Sequence, residues 1–241
     1  ATKALYGGGD TGSVIKTIDF ITIATTSNAS NFGDLTAVRK RLGGGSNNTK
    51  AVFLGGNTVN DAVTPTNIID FVTLASNGNA TDFGDLTVAR LGGGSASDAH
   101  GGLGEDEDYF FQRPSVTYMP GSGRVLVLGG NRAGGDRSLI DMFHVTTLGN
   151  ASLFGDLTQV TDANGGCAST TRAFSMGGVN ESTNIIQAVE FASQGNAFDF
   201  GDLNVSGLYC RGLNSTTRGI NGCIYVSPGA ASNAIEYITM A

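Results

Sequence analysis

The chain has no tryptophan, two histidines, three cysteines and four prolines among its 241 residues. Two histidines, His100 and His144, are too few for a cluster of imidazole ligands, so no copper or zinc centre and no metal cofactor is expected. With 14 Lys and Arg against 21 Asp and Glu, a formal charge of −7 and no basic cluster, nothing neutralises a run of phosphates, and nucleic acid is excluded as a partner. No stretch reaches 18 apolar residues, so no membrane-spanning helix is expected. The chain opens on an apolar strand, ATKALYGG, rather than a signal-peptide pattern, which leads us to expect synthesis in the cytoplasm. Cys167, Cys210 and Cys223 are odd in number and sit at non-equivalent places, and are read as incidental small apolar residues, a Cys210–Cys223 bridge being the alternative. There is no nucleophile elbow, HExxH or phosphate loop, and the glycine runs Gly43 to Gly45 and Gly92 to Gly94 lack the flanking residues that would make them one.

Glycine, by contrast, is abundant at 37 residues, and only 15% of residues are charged. Apolar strands nevertheless recur throughout, which points to a turn-dense all-β protein rather than a disordered one. Three signals repeat in fixed order. The first is an apolar strand running into Gly-Gly, at Gly8-Gly9, Gly55-Gly56, Gly129-Gly130 and Gly177-Gly178, with a degenerate fifth at Pro228-Gly229. The second is a triplet of apolar residue, acid and a large apolar residue. It reads Ile18-Asp19-Phe20, Ile69-Asp70-Phe71, Ile140-Asp141-Met142, Val189-Glu190-Phe191 and Ile235-Glu236-Tyr237. The third is FGDL, beginning at Phe32, Phe83, Phe154 and Phe200.

The triplet acids are spaced by 51, 71, 49 and 46 residues, a period near fifty with one insertion at about 95–120. That length holds four short strands and their turns, and none of it carries the 3.6 period of a helix. In IDFITI both strand faces are apolar, as they must be in a sheet covered on both sides. One such sheet cannot bury either face alone, so the copies stack, and radial stacking is a β-propeller. A chain this long buries roughly 70–75% of its unfolded surface in a single domain. The repeat units run 1–40, 41–91, 92–160, 161–205 and 206–241. The first lacks a leading strand and the last lacks its FGDL strand. The expectation is therefore five blades of three, four, four, four and three strands, with blade 1 or blade 5 contacting a neighbouring subunit through a bare edge.

The strands GSGRVLVLGG (Gly121 to Gly130) and NGCIYVSPG (Asn221 to Gly229), with the stretch from IDFVTLAS to DLTVAR (Ile69 to Arg90), resemble kelch repeats. Kelch blades carry a Trp after the third strand, and here Phe32, Phe83, Phe154 and Phe200 stand at the comparable site. The ten-residue segments SNASNFGDLT, GNATDFGDLT, GNASLFGDLT and GNAFDFGDLN are also similar to repeats in structural proteins of tailed bacteriophages, marine ones especially. That resemblance implies a non-enzymatic virion component, either a tail-fibre or knob protein or a head-decoration protein. It implies other virion proteins as partners, multiple copies on the particle and contact with a host-surface glycan. The alternative is a lectin propeller. Its loops would repeat as faithfully as its strands, whereas NTVNDAVTPTN, NRAGGDRS and VNESTN differ.

The insertion carries the candidate interaction residues Glu105, Asp106, Glu107, Asp108, Phe110 and Phe111, because function concentrates on irregular loops of rigid scaffolds. Adjacent acids lack the spacing of a calcium loop, so the acidic run is read as solvated, a weak cation site being the alternative. The two phenylalanines, with Tyr118, are read either as contact aromatics or as core for a displaced strand. Asp34, Asp85, Asp156 and Asp202 of FGDL are read as turn residues accepting backbone N–H groups. Arg39 and Arg90 follow the first two by five residues, but Thr161 and Gly207 hold the equivalent places, so an obligatory pair with these acids is excluded. Asn28, Asn79 and Asn150 match glycosylation acceptors in form, and turn chemistry is the simpler cause of their recurrence.

Overall fold

The computed structural model describes residues 3–47, 49–60, 63–98, 123–178, 183–215, 217–226 and 230–240. Among these residues there are strands and no helix. Blade 1 comprises β1 (Lys3–Asp10), β2 (Val14–Thr22) and β3 (Ser30–Asp34). Blade 2 comprises β4 (Gly43–Ser46), β5 (Lys50–Leu54), β6 (Ile68–Thr73) and β7 (Thr81–Asp85). Blade 3 holds β8 (Gly94–Ser97), β9 (Arg124–Leu128), the stub β10 (Asn131–Arg132), β11 (Gly135–His144) and β12 (Ser152–Thr161). Blade 4 follows with β13 (Gly165–Ala168), β14 (Arg172–Met176), β15 (Ile185–Glu190) and β16 (Phe198–Asp202). Blade 5 has β17 (Gly207–Asn214), β18 (Arg218–Val226), the stub β19 (Ala230–Ala231) and β20 (Ile235–Thr239). The five antiparallel sheets stand in a ring as a five-bladed β-propeller. Apart from the two-residue stubs β10 and β19, the strands number three, four, four, four and three per blade among the described residues, as the repeat lengths require.

The strands alternate, and each face of a blade belongs to a different junction. In blade 2, Ala51, Phe53 and Val72 pack on blade 1 with Ile18 and Phe32. The residues between them, Val52, Leu54 and Ile69, pack with Phe83 on Val125, Val127 and Phe143 of blade 3. Blades 3 and 4 meet through Leu126, Leu128, Ile140 and Phe154 on one side and Ala173, Val189 and Phe191 on the other. Blades 4 and 5 meet through Cys167, Phe174, Met176 and Ile186 against Met240. The FGDL phenylalanine is the aromatic anchor of each junction, and Phe83 sits edge-on to Phe143 of the next blade at 5.3 Å.

The ladders revise one repeat. Ile18, Ile69 and Ile140 lie opposite Gly33, Gly84 and Gly155, the FGDL glycines, and in blade 4 the residue opposite Gly201 is Ile186. The fourth triplet is thus Ile186-Gln187-Ala188 rather than Val189-Glu190-Phe191, and a glutamine takes the place of the acid. At each of these four ladders the register shifts beside the FGDL glycine, as a β-bulge does. Cys167 is a buried free thiol in the last junction, consistent with a small apolar residue. Burial pushes its pKa up to about 12. Cys210 corrects the reading of the cysteines as incidental: it is disulfide-bonded, and the residue opposite it in the ladder is Cys223.

Candidate functional site

The polar residues that recur with the blades are spent at the junctions between them. After FGDL the chain continues Thr36 to Arg39 in blade 1 and Thr87 to Arg90 in blade 2, and both pairs turn toward the triplet acid of the following blade. Thr36 donates to the Asp70 carboxylate through its backbone N–H (3.0 Å) and its hydroxyl (2.6 Å). Arg39 reaches the same carboxylate at 2.5 Å and donates to the carbonyls of Gly55 (2.8 Å) and Ile68 (3.0 Å). One junction on, Thr87 donates to Asp141 through N–H (3.0 Å) and hydroxyl (2.5 Å). Arg90 pairs with Asp141 and donates to the carbonyls of Gly129 (2.9 Å) and Leu139 (2.8 Å). The accepting Gly55 and Gly129 are the first residues of their Gly-Gly pairs.

Arg39, Asp70 and Asp141 are fully buried, and Arg90 is 2% exposed. Burial pushes both guanidinium pKa values down from the ordinary arginine range, while the facing carboxylates pull them back up. The Nε atoms of both arginines lack a hydrogen-bond partner. These pairs were not legible from the nearest-acid logic, because each arginine bypasses the acid five residues before it and crosses to another blade. The signal was the joint recurrence of Thr-x-x-Arg after FGDL and of a lone acid inside an apolar strand.

At the third junction Thr161 takes the arginine's place and donates to the Gly177 carbonyl at 3.3 Å. Gln187 takes the acid's place, its Oε1 accepting from the Thr158 N–H (2.6 Å), the Thr158 hydroxyl (2.7 Å) and the Gln159 N–H (3.2 Å). At the fourth junction Glu236 accepts from the Asn204 N–H at 3.1 Å.

The Gly-Asn-Ala segments explain themselves in the same way. The Oδ1 atoms of Asn79, Asn150 and Asn196 accept the N–H groups of Asp34, Asp85 and Asp156 in the preceding blade at 3.0–3.1 Å. The N–H groups of Ala80, Ala151 and Ala197 donate to the carbonyls of those same aspartates at 2.7–2.8 Å. The FGDL acid is therefore engaged across the junction by its backbone. The turn acceptors are Asp82 and Asp199, three residues earlier, which take the N–H of Gly84 and Gly201. A Cβ on Gly33, Gly84 or Gly155 would collide with the carbonyl of Gly78, Gly149 or Gly195 in the next blade. A Cβ on Gly201 would meet nothing, and among the described residues blade 5 brings no Gly-Asn-Ala segment to it.

Toward the hub, each crossover into a leading strand bends at one repeat position held at positive φ: Arg41 (57°), Gly92 (69°), Ala163 (53°) and Tyr209 (54°). Backbone bonds chain these bends together, from Gly92 N–H to Arg41 O, Ala163 N–H to Gly92 O and Cys210 N–H to Ala163 O, at 2.8–3.0 Å. Asp162 lies against Gly92 and accepts the Ala163 N–H at 2.6 Å. Burial raises its carboxyl to about 6, with Asp136 adding to the rise and the Ala163 N–H, Arg41 and Arg211 opposing it.

The two ends of the blade series are different. Position for position, Ala51, Phe53, Val72 and Leu74 of blade 2 correspond to Ala4, Tyr6, Ile21 and Ile23 of blade 1, by ladder register. The blade 2 residues are covered, whereas Tyr6 is 69% and Ile23 61% exposed. On blade 5, Ile235 and Tyr237 occupy the places of Ile69 and Phe71, and are 76% and 65% exposed. Asp19, the counterpart of Asp70, has no side-chain partner among the described residues.

The candidate residues Glu105, Asp106, Glu107, Asp108, Phe110 and Phe111 lie outside the described residues, as do Tyr118 and His100. His144 ends β11 opposite Arg124 in the ladder. Among the described residues no three His, Cys, Asp or Glu side chains are grouped as metal ligands. No helix among them is long and apolar enough to cross a membrane. Comparison with models of known families and with curated proteins finds no match for this chain.

Proposed function

We propose that the protein is a non-enzymatic structural component of a tailed-bacteriophage particle, a kelch-like propeller serving as tail-fibre, knob or head-decoration subunit, present in many copies and docked on other virion proteins. The observation that carries this reading is the pair of bare apolar sheet faces at the two ends of the blade series. Inside the chain the same repeat positions are interfaces, and large exposed apolar patches mark association surfaces. The four ten-residue segments containing FGDL, with their similarity to phage structural repeats, support this class of assembly. Function then resides in attachment, with host-surface contact falling to the loops.

The alternative, a lectin propeller with sugars held between blades, needs a repeated polar set that is free to bond a ligand. Here the repeated threonines, arginines and acids at the first two junctions bond one another, and the arginines and acids are buried, which supports that reading less. The test is immunogold labelling of purified particles. Labelling at the tail or on the capsid surface is expected; absence of the protein from purified particles sinks the proposal. Binding of purified protein to a glycan array, with activity lost on changing junction residues, would favour the lectin.

A further inference from the structure

We infer that the two bare faces are complementary halves of one more blade junction, and that the last blade of one copy docks on the first blade of a second copy, head to tail. Each internal junction joins a face of one type to a face of the other. The donating face carries alternate residues of the second and third strands, such as Val52, Leu54, Ile69 and Phe71. The accepting face carries the intervening ones, such as Ala51, Phe53, Asp70 and Val72. Blade 5 exposes a donating face, Leu213, Ile220, Ile235 and Tyr237, at 40–76%. Blade 1 exposes an accepting face, with Tyr6, Ile21 and Ile23 at 44–69%. Neither end carries the face type of the other, so like-with-like pairing has no precedent in the molecule, and donor-to-acceptor pairing has four.

Polar groups at the ends match in the same sense. The basic residue that opens the second strand reaches into the next blade at two internal junctions: Lys3 donates to the Asn77 side chain at 3.0 Å, and Arg124 to the carbonyl of Phe191. Arg218 holds that position in blade 5, over the Tyr237 ring at 5.0 Å, and among the described residues no further blade packs on this face. The residue corresponding to Phe191 in blade 1 is Ile23, whose carbonyl is the acceptor Arg218 would find in a second copy. The four internal junctions already use all four FGDL segments, so the new interface lacks that strand and is smaller than they are. Three strands of about five residues give a face of roughly 16 by 14 Å. That is well under the ~800 Å² per side of a standard interface. Association is therefore concentration-dependent in solution and strengthened where copies are held together on a larger body.

A heterologous contact of this kind makes strings or closed rings rather than simple dimers. The test uses the full chain and two variants, Ile21→Asp with Ile23→Asp for the accepting face and Ile235→Asp with Tyr237→Asp for the donating face. Unfolding midpoints matching the parent protein show that both fold, since all four sites are exposed. By multi-angle light scattering, the parent protein is expected to grow in mass with concentration, each variant alone to stay monomeric, and their mixture to form a one-to-one dimer. Arg218→Ala is expected to weaken association about tenfold. Three results overturn the inference: a parent protein that stays monomeric, as when the faces close on each other within one chain or take an unrelated partner; a variant that still self-associates; or variants that do not complement on mixing. These outcomes leave the location of the protein in a particle untouched, so this inference and the proposed function fail separately.

Discussion

At the first two junctions a buried guanidinium meets a buried carboxylate, whereas at the third a threonine and a glutamine hold the same two positions. Apolar packing is of one kind at all three: an FGDL phenylalanine and an isoleucine opposite the FGDL glycine, set against small or β-branched residues and one phenylalanine (Phe53, Phe143 or Phe191) of the next blade. The hydrogen-bonding duties are also conserved in kind. A threonine after FGDL donates twice to a side-chain oxygen in the next blade, and a second residue reaches a Gly-Gly carbonyl. What the charged version adds is a second carbonyl contact, Ile68 or Leu139, made by the same guanidinium nitrogen. What it costs is desolvation of two full charges, which in a dry site offsets most of the Coulomb gain. The comparison teaches that the junction needs a filled hydrogen-bonding geometry and tolerates either way of filling it.

Breaking the geometry at a charged junction therefore carries the largest effect. Asp70→Ala or Asp141→Ala leaves a buried guanidinium without its counter-charge, and a loss of about 3–5 kcal/mol is expected in urea unfolding at pH 7. Gln187→Ala strands two N–H groups and a hydroxyl that are only part-buried and carry no net charge, so about 1–3 kcal/mol is expected. Equal losses at the two kinds of junction would show that charge is immaterial to them.

The next effect separates close approach from backbone strain. Gly155→Ala places a methyl group against the carbonyl of Gly195 at the third junction, and overpacking of this sort costs about 1–3 kcal/mol. Gly201→Ala, at the equivalent place where no blade loop approaches, carries only the cost of its φ of 145°, about 1 kcal/mol. If the two substitutions cost the same, the Gly-Asn-Ala clasp is not what requires the glycine.

Much of this arrangement was legible because strand alternation is unambiguous where an acid interrupts it. Ile69-Asp70-Phe71 places two apolar residues on one face and the acid on the other, and the blade count follows from repeats of that unit. Blade 4 misled for a physical reason. IIQAVEF contains two apolar–polar–apolar triplets three residues apart, and with an acid in only the second, Val189-Glu190-Phe191 looked like the repeat. An odd shift in a period of two exchanges the faces, so Val189 and Phe191 meet the preceding blade, blade 3, as Val72 and Leu74 of blade 2 meet blade 1. The Arg39–Asp70 pair, 31 residues apart, depends on how neighbouring blades face one another, which residue spacing alone does not reveal. Likewise Cys210 and Cys223 come to stand opposite one another only through the register of the β17–β18 hairpin.

A smaller effect is tied to pH at the hub, beside the third junction. The Asp162 carboxyl is raised from 3.8 to about 6, so between those values the folded protein holds a proton that the unfolded chain has released. Stability from this group is therefore greatest below about pH 4 and falls as pH rises to about 6, beyond which the cost of the buried charge is complete. Asp162→Asn keeps an oxygen for the Ala163 N–H and removes the titration. Relative to the parent protein, it is expected to be about 1–2 kcal/mol more stable at pH 7, with the partial exposure of the site discounted, and little changed at pH 4. Unfolding in urea at the two pH values measures the difference, and a variant equally shifted at both would rule out the carboxyl as its source.

The smallest change expected is the most direct comparison: importing the charged version into the third junction with Thr161→Arg and Gln187→Asp together. Thr161 is 1% and Gln187 3% exposed, so both new charges would be buried as Arg39 and Asp70 are. The carbonyls for the new guanidinium are present, since Gly177 corresponds to Gly55 and Ile185 to Ile68 by ladder register. Thr158 stands ready to donate to the carboxylate as Thr36 does. If the two solutions are equivalent, the double variant stays within about 1 kcal/mol of the parent, while each single variant, burying one unpaired charge, loses several. The interaction energy from this cycle isolates the pair itself. A double variant as damaged as the singles would mean that the third junction differs from the first two in its packing, with Ala173 and Ser175 standing where Ala51 and Phe53 do, and that its uncharged pair is an adaptation to that packing rather than an interchangeable choice.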